Sequence, residues 1–211
     1  MKLALSRVHF PVTTLGPGRR LGLWLQGCSI RCPGCISSDT WAKAAADVDV
    51  QELLERVHPW LQECEGVTIS GGEPFEQSEA LSLILTGIRK TSKANILVYS
   101  GFALEDLLEH QMVEAGLIDC LISDPFDVNA GHTRYLRGSD NQRMTCLTQL
   151  GRDVFGALDR PVTDDDRSLD VMFDADGTVW LTGIPDRGDM QRLKLLLDSQ
   201  GTYVVTTEAR A

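Results

Sequence analysis

The residues with the most evident chemical potential are three cysteines in one short loop. Cys28, Cys32 and Cys35 lie in the stretch GCSIRCPGC and supply half of the chain's six thiols. Thiolates spaced Cys-x3-Cys-x2-Cys are soft metal ligands. A structural zinc ion takes four ligands, usually from two Cys-x2-Cys knuckles. Cys64, Cys120 and Cys146 stand apart in the sequence, so a zinc site would have to borrow one of them or a histidine. A [4Fe–4S] cube has four irons, each needing a terminal ligand. Three cysteines leave one iron open, where a small molecule can bind and receive an electron. Gly27, Pro33 and Gly34 suit a loop whose backbone amides must come close to sulfides.

Such a loop must be carried by a scaffold, and the hydrophobic pattern describes one. LALSRVHFPV and RRLGLWLQG read as two strands around the turn-rich Leu15-Gly16-Pro17-Gly18. After the cysteines, DVQELLERVHPWLQE has apolar residues at helical spacing. GVTIS is a short β-branched run ending at Gly71-Gly72, suited to a buried parallel strand. SEALSLILTGIRKTS returns to helix with Ser78 as the expected N-cap. NILVYSG, LEDLLEHQMVEAG and IDCLISD continue as strand, helix and strand. Strand–helix–strand repetition implies right-handed crossovers and a parallel sheet. There are too few units for a closed eight-stranded barrel. The expected fold is α/β, an open partial parallel β/α barrel with functional loops at the strand C-termini.

From about Gly151 the pattern changes. DRPVTDDDRS reads as a polar surface excursion, LDVMFDADGTVWLTGIP as a hairpin turning at Asp176-Gly177, DMQRLKLLLDSQG as a helix closed by Gly201, and TYVVTT as a last strand. Asp174 and Asp176 mark a turn rather than a calcium loop, since the first-position ligand would fall on Met172. The expected organisation is a core over residues 1–150 and an extension over 151–211 packed on the same domain.

Several stretches, in order, now bear on chemistry: GPGRRLGLWLQGC (Gly16 to Cys28), CPGC (Cys32 to Cys35), ISGGEPFEQ (Ile69 to Gln77), LVYSGF (Leu97 to Phe102), LISDPF (Leu121 to Phe126) and RGSDNQR (Arg137 to Arg143). In these the chain resembles the radical S-adenosylmethionine superfamily, most nearly the activating proteins of anaerobic, class III ribonucleotide reductases. The resemblance covers about residues 15–150. LTGIP (Leu181 to Pro185) is similar, more weakly, to a segment near the end of longer members. Ile36 after the third cysteine and SDPF in place of the commoner DGPF depart from the pattern.

The resemblance implies a [4Fe–4S] cluster on Cys28, Cys32 and Cys35, with the amino nitrogen and carboxylate of S-adenosylmethionine chelating the open iron. It implies that Gly71, Gly72 and Glu73 line the methionine end. Tyr99 and Ser100, ending the next strand on the same edge, are candidate cofactor contacts through their hydroxyls, with core packing the equal alternative for Tyr99. Asp124 is a candidate contact with cofactor or substrate, with a capping or turn role through Asp124-Pro125 the equal alternative. The implied activity is reductive cleavage to a 5′-deoxyadenosyl radical, which takes a hydrogen atom from a glycine of a glycyl radical enzyme partner. An electron donor such as flavodoxin or ferredoxin would supply the electron. No acid–base residue is needed beyond the cluster ligands. Two alternatives stay open: a compact radical enzyme acting on a small molecule or peptide, and a non-catalytic iron–sulfur or zinc protein.

Composition sets outer limits. There are 20 basic and 30 acidic residues, a formal charge of −10, and no basic run longer than Arg19-Arg20. That balance argues against general nucleic-acid or anionic-membrane binding. No apolar stretch approaches the roughly 18 residues of a membrane span. The N-terminus lacks the apolar core of about 7–15 residues that a secretory signal carries. The expectation is a cytoplasmic protein with reduced thiols. His9, His58, His110 and His132 show no ligand spacing. Arg134, Arg137, Asn141, Gln142 and Arg143 gather in one loop; most of them read as solvated surface, and part of the loop is expected to lie over the active site and steady it or to meet a partner.

Overall fold

The computed structural model describes residues 1–175 and 177–203. The strands and helices in chain order are β1 (Lys2–Leu3), β2 (Leu5–Val12), β3 (Arg20–Leu25), β4 (Val48–Asp49), α1 (Val50–Glu63), β5 (Gly66–Gly71), α2 (Ser78–Thr91), β6 (Asn95–Tyr99), α3 (Leu104–Leu108), α4 (Gln111–Glu114), β7 (Cys120–Ser123), β8 (Arg143–Cys146), α5 (Gln149–Phe155), β9 (Leu169–Phe173), β10 (Val179–Gly183) and α6 (Asp189–Ser199). The main sheet runs β2-β3-β5-β6-β7-β8. Its inner pairings, β3 with β5, β5 with β6 and β6 with β7, are parallel. The outer strands β2 and β8 are antiparallel. The architecture is therefore mixed α/β around a mostly parallel sheet, and the sheet is not closed into a barrel.

Two amphipathic helices cover one face. α1 turns Val50, Leu53, Val57 and Leu61 inward, and α2 turns Leu81, Ile84, Leu85 and Ile88. They bury Leu21, Leu23, Val67, Ile69, Ile96 and Val98 of the central strands. The strands' period of two sends Leu97, Cys120 and Ile122 to the other face, against Leu136 and Phe155. Asp49 caps α1 by accepting from the amides of Gln51 and Glu52.

The N-terminal end of the parallel strands is plugged by Arg20, a fully buried cation with no carboxylate of the described residues at hydrogen-bond distance. Its Nε donates to Thr68 Oγ1 at 2.6 Å, Nη1 to Asn95 Oδ1 at 2.8 Å and Pro17 O at 3.1 Å, and Nη2 to Val67 O at 2.8 Å. Burial lowers its pKa to about 10. A Cβ on Gly66 would fall 2.1 Å from Arg20 Nη1, so the plug requires glycine there.

Several expectations need correction. Ser78 is the first helical residue of α2, not its cap. The chain already curls through a 3-10 turn over Pro74–Gln77, whose start is capped when Glu73 accepts from the Phe75 amide. The single helix expected after strand β6 is two short ones, because His110 is extended (ψ 133°) between them. Strand β8 and helix α5 were not anticipated. Cys120 and Cys146, isolated in sequence, are directly opposed across β7 and β8. The hairpin of β9 and β10 and the helix α6 form where expected, with Gly201 left-handed after α6 (φ 80°). Asp176, and the expected last strand from Val204 onward, lie outside the described residues, and Thr202 and Tyr203 are not in a strand.

Candidate functional site

The cysteine loop leaves the C-terminal end of β3, and the ends of β5, β6 and β7 open on the same edge. A cavity of about 460 Å³ lies there. Cys28, Cys32 and Cys35 line it with Ser70, Gly71, Gly72 and Glu73 from the end of β5, and with Tyr99, Ser100 and Gly101 from the end of β6. Stretches 26 or more residues apart in sequence thus share one wall because parallel strands deliver their C-terminal loops to one side.

The loop is built to present sulfur. The Gly27 amide donates to Thr40 O at 2.7 Å and the Cys28 amide to Trp41 O at 3.2 Å, pinning both ends of the segment. Within it, the Cys35 amide donates to Cys32 O at 3.1 Å, with Gly34 left-handed at φ 78°. The backbone of Phe126 donates toward the Cys32 sulfur; the Ser37 backbone and the Trp41 side chain donate toward Cys35. Burial nevertheless dominates and pushes both thiols up. Bare cysteines there hold their protons, and a metal must displace them, aided by the N–H donors. Among the described residues no three His, Cys, Asp or Glu side chains converge closely enough for one metal ion.

The two glycines of the GGE stretch line the cavity and also seat the backbone of the cysteine loop. A Cβ on Gly72 would sit 2.0 Å from Gly27 O, and one on Gly71 would sit 2.4 Å from Leu25 O. The Gly72 amide donates to Leu25 O at 2.8 Å and the Glu73 amide to Gly27 O at 2.9 Å. Their lack of side chains lets the end of β5 dock on the base of the cysteine loop.

Glu73 is buried. Its carboxylate accepts from the Phe75 amide at 3.0 Å, the Ser100 hydroxyl at 2.8 Å and the Gly101 amide at 2.7 Å. Desolvation outweighs these three donors and pushes its pKa up to about 7. Ser100 therefore spends its hydroxyl on Glu73. Tyr99 donates its hydroxyl to Leu136 O at 3.1 Å, and burial pushes the phenol up. Asp124 is not on the cavity wall. It is left-handed (φ 79°) and takes a two-pronged ion pair from Arg143, at 2.6 Å from Nε and 2.7 Å from Nη2. Arg143 chiefly holds its carboxyl below the usual range.

Of the other residues near the site, the RGSDNQR loop and the LTGIP stretch are marked in the sequence, and the structure gives them different places. Gln142 reaches the cavity while accepting from the Gly138 amide at 2.9 Å and donating to Asp124 O at 3.2 Å, so it orders the loop. Arg137 is buried against Asp159 at 2.7 Å instead. His132 lines the cavity 3.8 Å from Asp186. Arg7 lies over Trp180 and pairs with Asp39. The extension contributes residues from Leu181 to Gln191. LTGIP marks Leu181 to Pro185 only weakly, and Asp186 to Gln191 carry no motif, because their place on the wall depends on long-range contacts of the hairpin.

Comparison with known proteins gives a consistent picture. Residues 14–145 match the family described as a 4Fe-4S single cluster domain. The chain is 26% identical to the anaerobic ribonucleoside-triphosphate reductase-activating protein of Enterobacteria phage T4 over 134 residues, 61% of this chain and 85% of that protein. It is 27% identical to the protein of that name from Escherichia coli (strain K12) over 143 residues, 64% of this chain and 93% of the relative. It is 38% identical to the pyruvate formate-lyase-activating enzyme of Staphylococcus epidermidis over 101 residues, 45% of this chain and 39% of that enzyme.

Proposed function

The chain belongs to the 4Fe-4S single cluster domain family, and on that premise we propose that it is a radical S-adenosylmethionine enzyme that activates a glycyl radical enzyme. The observation that carries the reading is one cavity shared by three thiols and the GGE edge. The finer fold reading, an open partial β/α barrel of the radical S-adenosylmethionine type, rests on the parallel strands β3, β5, β6 and β7 opening onto that cavity. A division into a core over 1–150 and an extension packed on it is part of the same proposal.

Cys28, Cys32 and Cys35 would hold a [4Fe–4S] cluster, and the thiol donor set with its N–H partners fits that group. When bound, the cluster and S-adenosylmethionine supply one-electron cleavage to a 5′-deoxyadenosyl radical, the species that removes a glycine hydrogen. The chain's own residues bind and orient. Glu73 offers a buried carboxylate to the methionine ammonium, and a cation beside it favours its ionised form. Carbonyls at the exposed end of β5 accept further hydrogen bonds. Ser100 and the Gly101 amide fix Glu73. Tyr99 closes the floor through Leu136, while Asp124 acts at one remove, through Arg143 and the loop that Gln142 orders. The relatives' names support a glycyl radical enzyme as partner. A flavodoxin or ferredoxin would supply the electron in the cytoplasm.

Anaerobic reconstitution followed by a cleavage assay tests this. The wild-type protein should take up about four irons per chain, release 5′-deoxyadenosine, and raise a glycine-centred EPR doublet in anaerobic ribonucleoside-triphosphate reductase. Alanine at Cys28, Cys32 or Cys35 should abolish the release. Iron uptake without any deoxyadenosine would sink the proposal. Deoxyadenosine tied to a modified metabolite, with no doublet, would favour the small-substrate alternative.

A further inference from the structure

The family match ends at residue 145, yet the cavity is walled in part by residues 181–191. The T4 and Escherichia coli relatives are themselves covered to 85% and 93% by alignments of 134 and 143 residues. They have little chain left with which to build an equivalent wall.

This segment, with the strand β9 that pairs with its start, is tied to both banks of the cavity. On one side Asp170 accepts from the Thr13 amide and hydroxyl at 2.7 Å each, and from the Thr14 amide at 3.2 Å and hydroxyl at 3.0 Å. The Thr14 hydroxyl also donates to Thr182 O at 2.9 Å. On the other, Arg187 donates to Ala130 O at 2.5 Å and Asp127 O at 3.4 Å, and Asp186 pairs with Arg167. The strap has the makings of a shaped surface. Ile184, Pro185 and Met190 add apolar bulk to the wall, while Gly183 (φ 145°) and Gly188 (φ 85°) bring bare backbone to it.

A cavity of about 460 Å³ is of the size that takes a small ligand or a short stretch of chain, not a folded domain. A protein substrate must therefore thread an extended segment past the strap to reach the cysteine loop. We propose that Leu181–Gln191 is a specificity strap, which narrows the cavity so that a polypeptide segment enters only where its central residue is glycine. The inference rests on the proposed activase reading and deepens it. The strap selects by exclusion. A side chain on the entering residue would meet Ile184 or Met190, whereas glycine carries none.

Equilibrium peptide binding tests this without turnover. The probe is a fluorescein-labelled peptide copied from the glycine-bearing loop of an anaerobic ribonucleoside-triphosphate reductase, compared with a twin whose central glycine is valine. Fluorescence anisotropy would be read on the full-length, cluster-reconstituted protein with S-adenosylmethionine. The wild type should bind the glycine peptide at least about tenfold more tightly. Ile184→Ala and Met190→Ala should reduce that preference to about twofold, and Ile184→Trp should weaken both peptides about tenfold. Ile184→Val, with a wild-type melting temperature, should keep most of the preference and so separates selection from misfolding. An unchanged preference in both alanine variants, or no glycine-peptide binding by the wild type, overturns the strap. Failure of the activase reading itself is recognised separately, as absence of deoxyadenosine from the wild type.

Discussion

Glu73 carries the least ordinary electrostatics of the cavity. Its carboxyl is buried, with a pKa of about 7 against an ordinary 4.5, because desolvation outweighs the amides of Phe75 and Gly101 and the hydroxyl of Ser100. A folded-state pKa above the unfolded value means that the native protein keeps a proton which the unfolded chain has lost. Stability from this group is thus greatest at low pH and declines as pH rises from about 4.5 to about 7. Glu73→Gln imitates the neutral acid and should remove that decline. Urea unfolding of the reduced, metal-free protein should show the variant gaining on the wild type between pH 5 and pH 8, by on the order of 3 kcal/mol at full effect. Equal pH slopes for the two proteins would mean that Glu73 is ionised throughout. The same substitution should weaken S-adenosylmethionine binding to the loaded protein, since the amide cannot offer a full negative charge to an ammonium.

At the level of elements, the site is assembled where the end of β5 meets the end of β3. Gly72 is the contact point, since a Cβ there would fall 2.0 Å from Gly27 O. Gly72→Ala forces backbone from backbone and should cost about 1–3 kcal/mol. It should also release the Glu73–Gly27 hydrogen bond, so iron retention after reconstitution should fall more than the far-UV circular dichroism changes. Full iron retention would show that the loop closes without this docking. The cysteines and the buried runs of β5, β6 and β7 were legible in the sequence because each is encoded locally, by spacing or by β-branched residues between turn signals. Strand β8 was not, since Arg-Met-Thr-Cys is only four residues long, too short for its alternation to stand out, and is held as a strand by pairing with β7. The purpose of Gly71 and Gly72 was half legible: close approach was readable, but not that the approaching group is the protein's own backbone. The ion pair of Asp124 with Arg143 was not legible, because an arginine 19 residues away leaves no trace in its neighbourhood.

Across the whole molecule, the extension completes a cavity that the parallel strands leave open on one side. Its attachment is concentrated at Asp170, whose carboxylate receives four donors from Thr13 and Thr14, backed by Met172 and Ile184 packing on the Val12, Leu15 and Trp24 cluster. The central strands draw their stability from elsewhere, from the apolar faces of α1 and α2. Cutting the attachment should therefore loosen the extension while leaving the sheet intact. Asp170→Ala strips the acceptor from two amides and two hydroxyls and should cost about 1–3 kcal/mol, felt locally. Native-state hydrogen exchange gives the measurement. Amides of β9 and β10 should lose protection, whereas those of β5, β6 and β7 should keep theirs. Equal loss in both regions would mean that the extension and the sheet unfold as one cooperative unit, and that the wall over the cysteine loop is as permanent as the sheet beneath it.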